Sequence, residues 1–248
     1  MLEFTELENW SHLVTTWAIQ RINSLLNLCE GKNYLEIGVE NVHTFTGINA
    51  QLKIAVDPIF RFDFQAMQDR NTLFLSQDSD SAYAKLQEVD LEFDVIYLDG
   101  LHTFEQTYRD LLNAIDLLAP GGFILIDDVY PNDEYSFINN QQEALSKRKS
   151  SIPPGSTLDL SWHGDVFKVV AMVHDFQLNL DYRTFWGFGN PQTVVWDSIH
   201  QRRQPRFASI QEIATMNYGQ LCNNDDILKK GTDEEILIEL RKLNKKEV

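Results

Sequence analysis

The sequence predicts an α/β protein with a mainly parallel sheet of seven strands, an antiparallel hairpin at the sheet edge and helical extensions at both ends. Five short apolar runs, Tyr34 to Val39, Lys53 to Val56, Thr72 to Leu75, Phe93 to Leu98 and Phe123 to Ile126, are separated by helical stretches. Continuous apolar runs of this length suit strands covered on both faces, the condition of parallel strands flanked by helices. With 248 residues, 43% of them hydrophobic, the chain is long enough to bury such a core.

The elements follow in order. From Glu6 to Leu28 the apolar residues Leu7, Trp10, Leu13, Val14, Trp17, Leu25 and Leu28 recur at helical steps, and Gly31 ends that helix. Ser79 or Asp80 is expected to cap a helix running through Glu88. Thr103 with Gln106 forms a capping-box pattern opening a helix through Leu118. Ala119-Pro120-Gly121-Gly122 is expected to stop that helix and turn the chain into the next strand. Residues 129–161, with Pro131, Pro153, Pro154 and Gly155, read as an insertion or lid. Helical periodicity resumes over Asp165 to Phe176, and Leu178 to Trp186 with Thr193 to Trp196 read as the hairpin. Residues 205–248 read as helical, the last segment opening at Thr232 with acidic residues in its first turn. The expected organisation is a helical extension over 1–30, a domain over 31–200 with its lid at 129–165, and a helical tail over 201–248.

Charge narrows the function classes. The net charge of −16 repels phosphate polymers and anionic membranes, so nucleic acid and membrane are not expected partners. The short basic stretches Lys147 to Lys149 and Arg202, Arg203, Arg206 lack interleaved aromatics and read as solvated loop. The acidic start of the chain does not resemble a signal peptide, and no apolar run approaches the roughly 18 residues of a membrane span. Two cysteines, Cys29 and Cys222, both in helical context, are too few for a disulfide framework or a thiolate zinc site. A cytoplasmic protein is the expectation, and a homo-oligomer stays open.

In a doubly wound sheet ligands lie beyond the carboxyl ends of the strands. Those positions are acidic: Glu36 with Gly38 closes the first strand, Asp57 the second, Asp99 the fourth, Asp127 and Asp128 the fifth, while Asp78 and Asp80 follow the third. Asp57, 21 residues beyond Glu36, is placed to accept hydrogen bonds from a ribose diol. Asp99, Asp127 and Asp128 would repel one another unless a cation or shared proton intervened, and an oxygen-only set selects Mg²⁺, Ca²⁺ or Mn²⁺ over zinc. His102, three residues past Asp99, is a candidate general base, and His163 beside Trp162 is its competitor. Trp162, Trp186 and Trp196 could line a sugar pocket, or pack in the core. Nucleotide-phosphate, zinc-protease and serine-hydrolase motifs are missing from the sequence.

The runs Tyr34-Leu-Glu-Ile-Gly-Val39, Val56-Asp57-Pro58, Phe93-Asp-Val-Ile-Tyr-Leu-Asp99 and Leu118-Ala-Pro-Gly-Gly-Phe-Ile-Leu-Ile-Asp127 resemble the class I S-adenosylmethionine-dependent methyltransferases over roughly residues 30–200. Asp99-Gly-Leu-His102, Ile126-Asp-Asp128 and Gly164-Asp-Val-Phe-Lys168 look most like the subgroup with macrolide sugar O-methyltransferases and cephalosporin hydroxylase-like proteins. The resemblance implies a Rossmann-like class I methyltransferase fold. It implies S-adenosylmethionine as cofactor, with Glu36 and Gly38 at its methionine moiety, Asp57 on the ribose, Asp80 near the adenine and Asp99 also in contact. It further implies methyl transfer to a hydroxyl of a small molecule or glycan, with Mg²⁺ at Asp99, Asp127 and Asp128 to orient that hydroxyl. The family pattern carries a second glycine where this chain has Val42, which predicts crowding at the cofactor and leaves open a non-catalytic binding or scaffold protein of the same fold.

Overall fold

A computed structural model describes residues 17–40, 42–153, 155–199 and 203–244. Leu7, Trp10, Leu13, Val14, Pro154, Arg202 and the chain end beyond 244 lie outside the described residues.

Eight strands form one sheet in the order β3-β2-β1-β4-β5-β7-β6-β8. The five expected parallel strands are β1 (Asn33–Ile37), β2 (Leu52–Asp57), β3 (Thr72–Ser76), β4 (Phe93–Leu98) and β5 (Leu118–Ile126). Their all-apolar character follows from burial on both faces: Ile54, Leu98, Ile124 and Ile126 join one core layer, whereas Ala55, Val95, Tyr97 and Leu125 join the other.

The hairpin strands β6 (Leu180–Phe185) and β7 (Gln192–Asp197) pair antiparallel, and β7 inserts antiparallel beside β5. The hairpin is not itself the margin, because β8 (Lys230–Gly231) adds in parallel to β6 and makes the sheet eight-stranded rather than seven-stranded. Two residues long, β8 carries no periodicity that a sequence could reveal. Residues 205–248 are therefore not uniformly helical: α7 (Ile210–Ala214), α8 (Tyr218–Asn223) and a 3₁₀ turn (Asp225–Leu228) precede β8, and α9 (Asp233–Asn244) follows. Thr232 and Glu235 close a reciprocal cap on α9, the side chain of each accepting from the backbone N–H of the other.

The first described helix, α1 (residues 17–28), buries Ala18, Ile22, Leu25 and Leu26 against the sheet layer that also receives Ile236 and Leu240 of α9. Arg21 fastens this arrangement. Only 1% exposed, it binds Asp233 through two nitrogens and donates to the carbonyls of Phe188 and Asn190 and to Gln192.

Helix α2 is a single turn (His43–Thr46), α3 spans Ser79–Gln87 and α4 spans Phe104–Asp116. The cap of α3 is Asp78, whose carboxylate accepts from Ser81 N at 2.8 Å, rather than Ser79 or Asp80. The expected Thr103–Gln106 box does not form. Instead Asp165, distant in sequence, accepts from Phe104 N at 2.7 Å, which releases Gln106 to bind Ser79 and Asp110. Pro120-Gly121-Gly122 does not turn into the strand from outside but forms an irregularity within β5, where pairing jumps from Phe93↔Leu118 to Val95↔Phe123.

The insertion at 129–161 contains a helix, α5 (Gln141–Ser151), with only Ala144 and Arg148 buried. The Lys147 to Lys149 stretch is thus helical, and Arg148 is a strap rather than a solvated charge: it pairs with Asp133 and donates to the carbonyls of Asp159 and Ser161. Helix α6 (Phe167–Phe176) is buried from Phe167 through Asp175. Cys222 lies in α8, whereas Cys29 sits in the turn after α1, where burial and the nearby Asp94 push its thiol up to about 11.

Candidate active site

The ladder registers place the acidic residues together. Ile37 pairs with Val56 and with Leu98, and Leu98 pairs with Ile126. The residues one position later, Gly38, Asp57, Asp99 and Asp127, therefore emerge on one rung at the carboxyl edge of the sheet. A cavity of about 650 Å³ opens there, lined by Glu36, Gly38, Asp57, Asp80, Asp99 and His102, with Ser79, Gln106, Asp110 and Trp162 completing its wall.

Glu36 is 2% exposed and accepts from Tyr34 Oη at 2.7 Å. Burial, partly offset by that hydrogen bond, pushes its carboxyl up to about 8. Gly38 has φ +88, and a Cβ there would lie 1.9 Å from the Asp99 carbonyl oxygen. The glycine is thus required by the close passage of the chain leaving β4, and it also lines the cavity. Asp57 is fixed by two backbone donors, Val39 N on Oδ2 and Ile59 N on Oδ1, each at 2.8 Å. Each oxygen keeps a lone pair for a ligand. Asp80 lines the cavity and pairs with Arg109 at 2.6 Å.

Asp99, His102 and Asp128 form a tight cluster, with one candidate ligand atom from each lying within 4.8 Å of the others. His102 Nε2 faces Asp99 Oδ1 at 3.2 Å, while Nδ1 faces Asp128 Oδ2 at 2.9 Å and the Trp162 carbonyl at 3.2 Å. The imidazole stacks on Trp162, centroids 5.1 Å apart. Burial would lower the His102 pKa, but the two carboxylates outweigh it and hold the ring protonated well above its ordinary range. The reciprocal effect keeps Asp128 below the usual carboxylate range despite its burial. Burial raises Asp99, the less enclosed partner. With both ring nitrogens engaged, His102 has no free lone pair in this arrangement. His102 and Asp128 have φ of +50 and +58, left-handed conformations that cost energy and that cluster at functional sites.

Asp127 does not join this cluster. Its carboxylate accepts from Tyr97 Oη, Gln192 Nε2 (2.8 Å), Asn190 Nδ2 (2.6 Å) and Asp128 N (2.7 Å). Four donors already surround it, and His102 occupies the corner of the acidic set expected of Asp127. The candidate ion site is therefore two carboxylates and one imidazole rather than three carboxylates, a donor set that suits Mn²⁺ as well as Mg²⁺.

His163 is 4% exposed and its Nε2 lies 3.2 Å from Asn190 Oδ1. Of the three tryptophans, Trp162 lines the cavity. Trp196 is buried in the core, and Trp186 packs edge-on to Tyr130 beneath the Lys230 ammonium. The sequence reading missed Ser79, Gln106, Asp110 and Asn190. Asp110 carried a signal: it falls in the buried stripe Thr107, Asp110, Leu111, Ala114 of α4, where a charged residue is out of place. Burial, tempered by hydrogen bonds from Ser79 and Gln106, pushes Asp110 up to about 6.

Residues 23–129 match the family model described as a methyltransferase domain. This segment is similar to a methyltransferase domain. The match begins inside α1 and ends just after Asp128, so it takes in the cavity wall from β1 through β5. No curated protein sequence matches the chain. Among solved structures, the chain is similar to an S-adenosylhomocysteine-bound methyltransferase from Podospora anserina at 15% identity, with 75% of this chain and 78% of that one covered and a TM-score of 0.48. An O-methyltransferase from Bacillus cereus in complex with S-adenosylhomocysteine shares 14% identity over 73% and 80% of the two chains, TM-score 0.45. TomG, an O-methyltransferase of tomaymycin synthesis from Streptomyces achromogenes, shares 12% over 75% and 78%, TM-score 0.43.

Within the matched segment, Val42 does not bring the crowding that its replacement of a glycine predicted. At φ −79 and ψ −2 it is ordinary right-handed backbone at the start of α2, and it is not among the residues lining the cavity. The domain has no need of a glycine there, because α2 is a single turn that Val42 can open without strain.

Proposed function

We propose that the protein transfers a methyl group from S-adenosylmethionine to a hydroxyl of a small molecule or glycan. The observation that supports this best is the single rung of Gly38, Asp57 and Asp99 facing a cavity of about 650 Å³ at the segment similar to a methyltransferase domain. Strands about 4.8 Å apart separate the ends of β1 and β3 by roughly 10 Å, the span of an amino acid joined to a nucleoside. On this reading Glu36 receives the α-ammonium and Asp57 the ribose hydroxyls, while Ser79 and Asp80 flank the base.

S-Adenosylmethionine supplies an electrophilic methyl on a sulfonium, so the protein contributes mainly position. Asp99, His102 and Asp128 would hold a divalent ion, the role their mutual approach suits, and such an ion acidifies a bound hydroxyl. To ligate, His102 must exchange one of its hydrogen-bonded protons for the metal.

Charged hydrogen bonds contribute about 1.5–3 kcal/mol, so Asp57→Ala is expected to weaken S-adenosylmethionine binding roughly ten- to a hundredfold by calorimetry. Affinity unchanged in the variant would remove Asp57 from the site. Metal binding is read separately. An ion bound only by the native state at a hundred times its Kd adds about 2.7 kcal/mol, so the melting temperature is expected to rise with millimolar Mg²⁺ or Mn²⁺ and return with EDTA. Asp128→Asn is expected to abolish most of that response, and melting insensitive to both ions in the wild type would exclude the metal role.

A further inference from the structure

Gln106 lines the cavity from the first turn of α4, and its amide is fixed at one end. Nε2 donates to Ser79 Oγ and to Asp110 Oδ1, each at 3.1 Å. Ser79 in turn hydrogen-bonds Asp110, so the three side chains close a triangle between α3 and α4. Asp110 is only 2% exposed, and a carboxylate so enclosed depends on these donors.

The triangle gives the amide a direction. A carboxylate oxygen only accepts, so the end of Gln106 that faces Asp110 is its nitrogen, and the carbonyl oxygen is turned away. That Oε1 accepts no hydrogen bond from the described residues, and the side chain is half-buried in the cavity wall. It is an acceptor offered to whatever fills this end of the cavity. The same lining carries Ser79 and Asp80, together with Ile59 and Leu101, apolar side chains 72% and 62% exposed that suit the faces of a flat ring.

We infer that Gln106, oriented by Asp110, reads the amino group of the ligand's base and excludes the oxo group that would replace it. The inference rests on the methyl-transfer reading for the identity of the ligand and adds base specificity to it. An amino group at the six-position of a purine donates to Oε1. A six-oxo purine sets a second acceptor against that oxygen, so the hydrogen bond is lost and repulsion takes its place. The amide cannot turn over to suit the oxo base, because its oxygen would then face the Asp110 carboxylate. Gln106 is the specificity-determining residue, and Asp110 is a positioning residue that acts through it.

The test is calorimetry with S-adenosylhomocysteine and S-inosylhomocysteine, and with free adenosine and inosine. It is run at pH 8, above the value of about 6 to which burial pushes Asp110. The wild type is expected to bind each amino compound at least about tenfold more tightly than its oxo counterpart. Gln106→Met is expected to bring that ratio within about threefold. Asp110→Asn is expected to narrow it by raising the affinity for S-inosylhomocysteine, since the released amide can then present its nitrogen; a merely structural loss would weaken both ligands together. A ratio near one in the wild type, or a ratio unaltered by Gln106→Met, would overturn the inference and leave the methyl-transfer reading in place. Adenosine preferred over inosine through Gln106, with no binding of S-adenosylhomocysteine, would instead overturn the methyl-transfer reading and keep the base reading. Binding of none of the four would overturn both.

Discussion

Gly164→Ala is expected to lower stability by about 3 kcal/mol or more, a fall of roughly 6–12 °C in melting temperature for a domain of this size. Gly164 has φ +58, and a Cβ there would stand 1.6 Å from the His102 carbonyl oxygen. Both chain segments are constrained, since His102 is itself left-handed at φ +50 and Gly164 N donates to the Ser136 carbonyl at 2.9 Å. Neither backbone can retreat without disturbing the stack of Trp162 on His102. Gly121→Ala is the control, with φ +76 but nothing within 4 Å of its added Cβ. That variant is expected to lose only the conformational contribution, about 1–2 kcal/mol. Equal losses in the two would show that the close approach of Gly164 to His102 contributes nothing.

The second large effect concerns pH. The Glu36 carboxyl, pushed up to about 8 by burial, is mostly protonated at neutral pH in the free protein. A ligand ammonium placed against it favours the carboxylate, so binding releases a proton and affinity rises with pH up to that value. Between pH 6 and 8, S-adenosylhomocysteine is expected to bind at least about tenfold more tightly, with about fiftyfold as the limit if only the carboxylate form binds. Glu36→Gln is expected to flatten the dependence and weaken binding at pH 8. Stability has the opposite sign. The native state holds this proton from the ordinary value of 4.5 up to about 8 while the unfolded chain has released it, so the ligand-free protein loses stability as pH rises through that window. Affinity independent of pH would remove Glu36 from contact with the ammonium.

The five parallel strands and the hairpin were legible because burial on both faces writes itself as continuous apolar runs, and their ends could be placed to within a few residues. The acidic rung followed from those ends. Other features depended on partners remote in sequence. Asp165 displaced the local Thr103 cap of α4, and Arg148 drew a basic stretch inward to strap the insertion. Helix α5 escaped notice because a helix with two buried residues has no apolar stripe to read. Asp127 and Asp128 are neighbours in sequence and share the Asn190 amide, but their other carboxylate oxygens part company, Asp128 Oδ2 facing His102 and Asp127 Oδ2 accepting from Gln192. No pattern of residue types announces that separation. Asn190, in a Gly-rich hairpin loop, could be assigned to the site only once β7 was seen to lie beside β5.

A crystal of the wild-type protein grown with S-adenosylhomocysteine and Mn²⁺ tests the central claim most directly. The account predicts ligand density along the carboxyl edge of the sheet, with the amino acid at Glu36, the ribose hydroxyls on Asp57 and the base against Ser79. An anomalous peak from Mn²⁺ is expected among Asp99, His102 and Asp128. Density for the ligand away from Glu36 and Asp57, or an edge that stays empty at saturating ligand, would contradict it.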